Sequence, residues 1–488
     1  MADWTIVLAV TLGYLAVVLG IGLASGRRAS ATAEGYVAGD RSLGFLVLYF
    51  IYGASIFSAF AFLGGPGWAY SRGAAGFYIL AYGAVGMVPL YFFGPRTAQL
   101  GRKHGYVTQA EFFAHRFRSP ALSAVLALVA VVALVPYLTL QMEGAGIVFN
   151  VVTEGRISIE VGALVAYGVV LVYVLWSGVL GVGWTNTFQG MFMMALAWGL
   201  GLYLPHELYG GVGPMFEAIA DAAPEMLRAP GLDASGEPWS WGGYSSAVLV
   251  SVMGFSLWPH YFMKVFTARD DRTLQKTVVF YPTFLIFLVP ILFIGFSGVL
   301  AFPGVEPADS ILPTVVTSLE LNPVVVGLFC AGALAASMST GDAIVHAAAS
   351  VLVRDLWEPV SGSDLPDAVE RRAIQVLVVV LGAVAYYFAV GSEMSLVALL
   401  LFSYGFIAQL FPLLVATFLW PRATPAGALS GLLVGFAVTV IWNLEPSLQW
   451  GDVRPGVWGV AANTLVFVAV SLATRPMEEE HVAEFVVR

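Results

Sequence analysis

The sequence predicts an all-α polytopic membrane protein of about 13 transmembrane helices, a five-plus-five inverted repeat with a broken first helix in each repeat. Three observations lead there. Hydrophobic residues make up 59% of the 488 and charged residues only 11%, with a mean hydropathy of +0.84. Apolar stretches of roughly 20 residues recur along the chain, each long enough to cross a ~30 Å hydrocarbon core. Two of them are interrupted by glycine and proline, with the five-span spacing that two inverted repeats would give. A transmembrane β-barrel would show weak alternation over ~10 residues instead.

The first apolar run, 4–24, lacks a basic leader and reads as an extra N-terminal helix rather than a cleaved signal. The first repeat, 43–206, holds spans at 43–70, 74–94, 119–149, 157–176 and 180–206. The connection from Glu207 to Gly243 carries Pro214, Pro224, Pro230 and Pro238 and reads as an outer loop with a short helix. The second repeat, 244–420, holds spans at 244–266, 275–302, 321–354, 373–391 and 394–420. Two C-terminal helices (425–444 and 454–474, within 425–474) and a short acidic tail, 475–488, complete a single transmembrane domain over 1–488.

An odd number of spans puts the termini on opposite sides, and charge decides which is which. Of 22 Lys and Arg, only Arg72, Arg156, Arg228 and Arg454 fall on one side; the other 18, Arg28, Lys264 and Arg488 among them, fall opposite. The positive-inside rule then predicts a plasma-membrane protein with its N-terminus outside and its C-terminus cytoplasmic. The net charge of −9 sits largely in the outer connections, at Glu207, Glu217, Asp221 and Asp309 among others. Such a surface attracts cations weakly and reads first as a solvated face.

Composition also excludes. Cys330 is the only cysteine, so neither a disulfide framework nor a cysteine metal site can form within one chain. No GxxxxGK loop is present to cradle a nucleotide phosphate, which argues against an ATP-driven pump and against an enzyme of that kind. Any transport must draw on an ion gradient or on the solute itself. The expected partners are a small organic solute and the lipid bilayer, with no nucleic acid, and the expected state is a monomer or loose oligomer.

The segment Ala335 to Leu356 places Ser339, Thr340, Asp342 and His346 inside an apolar helix. Polar groups in hydrocarbon must be satisfied, so this is a candidate ion site. Span 43–70 is interrupted by Gly64, Gly65, Pro66 and Gly67, just after the run Ala54 to Ser58, and span 244–266 by Gly254 and Pro259. Proline removes an N–H and displaces the carbonyl a turn back, freeing carbonyls near Ala54 and Phe57. The hydroxyls of Ser339 and Thr340 and the carbonyl of Ala336 would complete the shell. Five neutral oxygens suit a monovalent cation better than calcium, which takes carboxylates. The alternative is that these hydroxyls only help two helices pack.

The motifs GGPG at Gly64, PYLTLQ from Pro136, WTNTFQG from Trp184, WPH from Trp258, AASMST from Ala335 and PAGALSGLLVG from Pro425 resemble those of the sodium/solute symporter family, which includes the sodium/proline and sodium/glucose symporters. The resemblance implies a LeuT-type fold, sodium as the coupling ion, and a sodium site of the Ala54, Phe57 and Ala336 carbonyls with the Ser339 and Thr340 hydroxyls. It implies sodium-coupled symport by alternating access through a single transporter domain.

One departure stands out. Where the family usually reads WTD, this chain has Asn186, and Asp342, three residues after Ser339, falls on the face that would hold a second cation or proton site. By family position Ser58, Tyr137, Gln141, Phe255 and Trp258 should border the substrate cavity. All 22 cationic residues map to loops or span ends, leaving no intramembrane arginine to pair with a carboxylate. A small anion would rely on helix N-termini and hydroxyls. The pattern is most similar to the monocarboxylate branch, with an amino acid such as proline next and pantothenate third. A sensor acting with a separate partner, or a channel, are the alternatives of another class. Glu143, His260 and His346 each have two readings, proton-carrying or coupling group on the one hand and hydrogen-bonded bundle residue on the other.

Overall fold

The computed structural model describes residues 4–27, 32–319, 321–362, 365–391 and 396–486. Arg28, Arg488 and the start of the span expected at 394 lie outside these residues. Among the described residues there is no β-strand, only isolated bridges pairing Leu43 with Ala268 and Leu232 with Pro238. Among the described residues, ten helices are long and apolar enough to cross a membrane, or eleven if the bent pair Trp241–Phe255 and Pro259–Thr267 is one span. The expected figure of 13 is not reached by this measure. Two of the runs, Phe60–His104 and Ile159–Tyr209, each continue through a point where the sequence divides two spans. Glycines with positive φ, Gly73 at 59° and Gly178 at 55°, bend the chain there without ending the run. At Gly178 a side chain would strike the backbone carbonyl of Tyr36, so the bend needs glycine twice over.

Seven helices form the region of interest: α1 (Phe45–Ala54), α2 (Gly65–Arg72), α3 (Pro120–Val152), α4 (Ile159–Tyr209), α5 (Trp241–Phe255), α6 (Pro259–Thr267) and α7 (Pro323–Val351). Their starts follow local chemistry. Ser119, Ser158, Ser240 and Asn322 each accept a backbone N–H of the first turn of α3, α4, α5 and α7. Pro120, Pro259 and Pro323 occupy first-turn positions where the missing N–H costs nothing. The α7 helix is buried almost throughout, and its alanines and glycines let neighbours approach closely. Tyr167 of α4 lies over Gly341 and donates its hydroxyl to the carbonyl of Ser337 at 3.1 Å.

The two interruptions take different forms. Between α5 and α6 the chain unwinds at Ser256 to Trp258 and bends by 45°, at the place Gly254 and Pro259 indicate. In the first repeat the unwound stretch is Ser55 to Ser58, and the expected break at Gly64, Gly65, Pro66 and Gly67 is displaced from it. Those four stay helical: a π-turn at Phe60–Gly64 absorbs the proline and α2 follows directly. Their small size serves packing instead, since a Cβ on Gly67 would overlap Asp309 and the Pro66 carbonyl lies against Gly295.

At the end of the bundle that carries most of the basic residues, the tail folds back on helix Gln109–Phe117. Glu484 receives Lys103 at 2.5 Å and His104 at 2.7 Å, Arg118 meets Glu478 at 2.8 Å, and the Phe485 ring is fully buried beside Phe112 and His115. Arg354 joins Glu111 of the same helix at 2.9 Å and Glu370 at 3.5 Å. The Lys103 and His104 donors hold the Glu484 carboxyl down to about 2. Its contribution to docking is therefore present above the ordinary glutamate range near ~4.3 and is lost as pH falls from there toward 2. Phe485→Ala, which removes a buried ring worth about 3 kcal/mol, should speed amide exchange across residues 479–486 by roughly 100-fold. Unchanged exchange in that segment would show that the ring does not hold the tail.

Candidate functional site

The unwound stretch after α1 turns backbone carbonyls toward α7. Ser339 donates its hydroxyl to the Ala54 carbonyl at 2.9 Å and is 3.3 Å from that of Ala336. Thr340 donates to the Ser55 carbonyl at 2.9 Å and is 3.4 Å from the same Ala336 oxygen. Three carbonyls and two hydroxyls thus converge with no carboxylate among them, and Ser339 and Thr340 are fully buried. Such a neutral oxygen set fits a monovalent cation. Phe57, expected to supply a carbonyl, is not among the partners of either hydroxyl; its ring stacks on Phe287 at 3.7 Å, and Ser55 stands beside Thr340 instead.

Asn186 and Asp342 both reach this neighbourhood from opposite helices. The Asn186 amide donates to the Ser339 carbonyl at 2.9 Å and to the Ser55 hydroxyl at 3.3 Å. Asp342, fully buried, faces the helix that carries Asn186: its Oδ2 accepts from Tyr173 at 2.7 Å and from Thr185 at 3.4 Å, while Oδ1 has no hydrogen-bond partner among the described residues. A carboxylate therefore stands one helical turn from the hydroxyls, and the Asn186 amide faces them from α4.

Sequence reasoning missed Lys264. Counted with the loops, it is in fact 3% exposed, with its ammonium 2.8 Å from the Ser55 hydroxyl and 3.3 Å from the Ile51 carbonyl. The statement that every cationic residue sits at a loop or span end is corrected by this side chain. Lys264 lies five residues beyond Pro259, and the bend turns what reads as a span end back into the bundle. Its i, i+4 relation to His260 on α6 was the available signal.

The five residues expected to border the substrate cavity are all buried, at 4% exposure or less. Tyr137 and Trp258 meet at 4.7 Å between ring centroids, Trp258 and Tyr404 at 5.2 Å, and Phe255 and Tyr82 at 5.7 Å. Gln141 caps the restart of the first broken span by accepting the Ala59 N–H at 2.9 Å, and Ser58 lies next to that cap. Among the described residues the Gln141 amide nitrogen and both ring nitrogens of His260 have no partner, and His260 lies 5.7 Å from the Tyr137 ring. With these side chains covered, a solute reaches them from either face only after the surrounding helices move. His346 bonds to the Tyr36 carbonyl at 3.1 Å, and Glu143 lies inside α3 with Oε2 unpartnered among the described residues.

Comparison with known proteins accords with this arrangement. A family model for the sodium:solute symporter family matches residues 36–435. The chain is 30% identical over 480 residues to the uncharacterized symporter YhjB of Bacillus subtilis, covering 96% of this chain and 97% of that protein. It is 25% identical to a monocarboxylate transport permease protein of Rhizobium johnstonii, covering 89% of each chain. It is 26% identical to the sodium/pantothenate symporter of Escherichia coli, covering 88% of this chain and 90% of the relative. Among solved structures it is similar in fold to a sodium-coupled sialic acid symporter in a substrate-bound, outward-open state, at a TM-score of 0.81 and 18% identity, with 97% and 99% of the two chains covered. The family match spans the broken helices, α7 and the polar cluster alike, and the chain belongs to the sodium:solute symporter family, as a sodium-coupled membrane symporter rather than an enzyme.

Proposed function

We propose that this protein imports a small monocarboxylate together with sodium by alternating access. Sodium would bind the carbonyls of Ala54, Ser55 and Ala336 and the hydroxyls of Ser339 and Thr340. The observation that carries this assignment is the convergence of two α7 hydroxyls on carbonyls freed by the Ser55 to Ser58 unwinding. The solute would lie among Ser58, Tyr137, Gln141, Phe255 and Trp258, where aromatic walls enclose the unpartnered Gln141 amide and His260 ring nitrogens. The Gln141 amide N–H and the one N–H of the His260 ring suit a carboxylate oxygen, and the relatives named for monocarboxylates and for pantothenate carry cargoes that share this group. The reading includes the two repeats at 43–206 and 244–420 within one domain, and the N-terminus outside. The tail, lying against the Lys103 and Arg118 region, agrees with a shared cytoplasmic side for both.

Reconstitution into proteoliposomes tests the substrate. Labelled lactate, propionate and pyruvate should enter saturably when sodium is outside and negligibly when potassium replaces it. Sodium-driven uptake of proline or pantothenate, with the short acids inert, would replace the monocarboxylate reading. Saturable binding without uptake of any of them would favour a sensor.

A further inference from the structure

Lys264 is the only Lys, Arg, Asp or Glu on α6, and it is buried without an acidic partner among the described residues. Its ammonium rests on the Ser55 hydroxyl and the Ile51 carbonyl, and over the rings of Tyr261 at 4.9 Å and Tyr52 at 5.9 Å. Those rings stack on one another 5.8 Å apart, so the charge is held by neutral oxygens and aromatic faces. Asp342, three residues after Ser339, is an equally buried anion, with Oδ1 unpartnered and no cation within ion-pairing distance among the described residues. Each group feels the charge of the other. A run of hydrogen bonds leads from the ammonium toward the turn of α7 that carries Asp342: the ammonium and the Asn186 amide share the Ser55 hydroxyl, and the amide continues to the Ser339 carbonyl, three residues before Asp342.

A buried carboxylate demands a compensating cation. We infer that Lys264 is a tethered cation that compensates Asp342, so that the place beside Asn186 and Asp342 takes no second sodium and the transporter couples one. An aspartate at 186 would add a negative charge against the Ser339 carbonyl; asparagine donates there instead, and the account balances with one lysine and one aspartate. The tether also explains the neutral surroundings of the ammonium, which hold it in place without cancelling its charge. A cavity of about 20 Å³ bounded by Lys264, His260 and His346 adds room for one more small species once the lysine side chain is shortened.

This inference rests on the sodium-site assignment, and equilibrium binding of ²²Na⁺ to the purified full chain without solute separates the two. The parent should bind one sodium per chain with a Hill coefficient near one. Lys264→Ala should bind two, with a Hill coefficient rising toward two, while Lys264→Arg and the double variant Lys264→Ala with Asp342→Asn should bind one. Two sodium ions in the parent, or one in a folded Lys264→Ala, would overturn the inference. No sodium in the parent would instead overturn the site assignment on which it rests. Should Lys264→Ala fail to fold, the double variant decides: recovery of folding with one bound sodium supports mutual compensation, and failure of both overturns it.

Discussion

Replacing Ser339 with alanine should raise the sodium concentration needed for half-maximal uptake by roughly ten- to a hundred-fold while the protein stays folded. The hydroxyl is one of five oxygens converging on a single point, and losing a buried polar partner costs about 1–3 kcal/mol, with each ~1.4 kcal/mol worth a factor of ten. Thr340→Ala should behave alike and Thr340→Ser should be nearly silent, because serine keeps the oxygen facing the Ser55 carbonyl. The consequence for accumulation follows from the membrane potential. One charge moving through ~100 mV supplies ~2.3 kcal/mol, about fifty-fold, and a site that no longer fills at the working sodium concentration forfeits that gain. Uptake measured against sodium, with thermal unfolding as a fold control, checks this. A half-saturation unchanged in both alanine variants would remove the two hydroxyls from the sodium site.

The α7 half of that site was legible because hydroxyls and a carboxylate inside an apolar helix have no other obvious use, and burial turns each into a question of partners. Pro259 likewise announced the second interruption, since a missing N–H forces a helix to restart. The first interruption was misplaced by at least six residues, Gly64 against Ser58, for a physical reason. Ser55 to Ser58 contains neither glycine nor proline, so nothing local requires the chain to unwind there. What holds it open is tertiary: Gln141 takes the Ala59 N–H, and Ser339 and Thr340 take the Ala54 and Ser55 carbonyls that a continuous helix would have used. The GGPG run, a stronger breaker by composition, is kept helical by a π-turn and by packing against Asp309. Lys264 escaped notice because counting charges along spans treats a helix end as a loop, whereas the 45° bend returns that end to the bundle.

The same contacts connect the site to movement. Carbonyls exposed at the unwound stretch are bonded by α7 on one side and flanked by the α6 lysine on the other, so binding at this point bears on three helices together. The covered state of Tyr137, Trp258 and Gln141 means that these helices must separate before a solute leaves. An ion that ties α1 to α7 is therefore placed to bias which face opens.

Asp342→Asn isolates the charge of this residue from its shape, and it should weaken sodium binding by roughly thirty- to a hundred-fold. Asparagine can still accept from Tyr173, so the hydrogen bond at 2.7 Å survives and the helix contact with it. What disappears is a negative charge about one turn from the hydroxyls, at roughly 6 Å by helix geometry. At an effective dielectric of about 20, that charge is worth about 2–3 kcal/mol to a monovalent cation. Removing it also leaves the buried ammonium of Lys264 uncompensated next to the Ser55 hydroxyl, which adds repulsion in the same direction. Tyr173→Phe makes the contrast: it keeps the charge and removes one donor, so its sodium half-saturation should move by less than tenfold. Sodium titrations of uptake and of thermal stability in the two variants test the assignment together. Equal shifts in both would mean that Asp342 acts through its hydrogen bond. No shift in Asp342→Asn would mean that the carboxylate lies outside the electrostatics of the cation site, and that the α7 hydroxyls and the freed carbonyls bind sodium without its help.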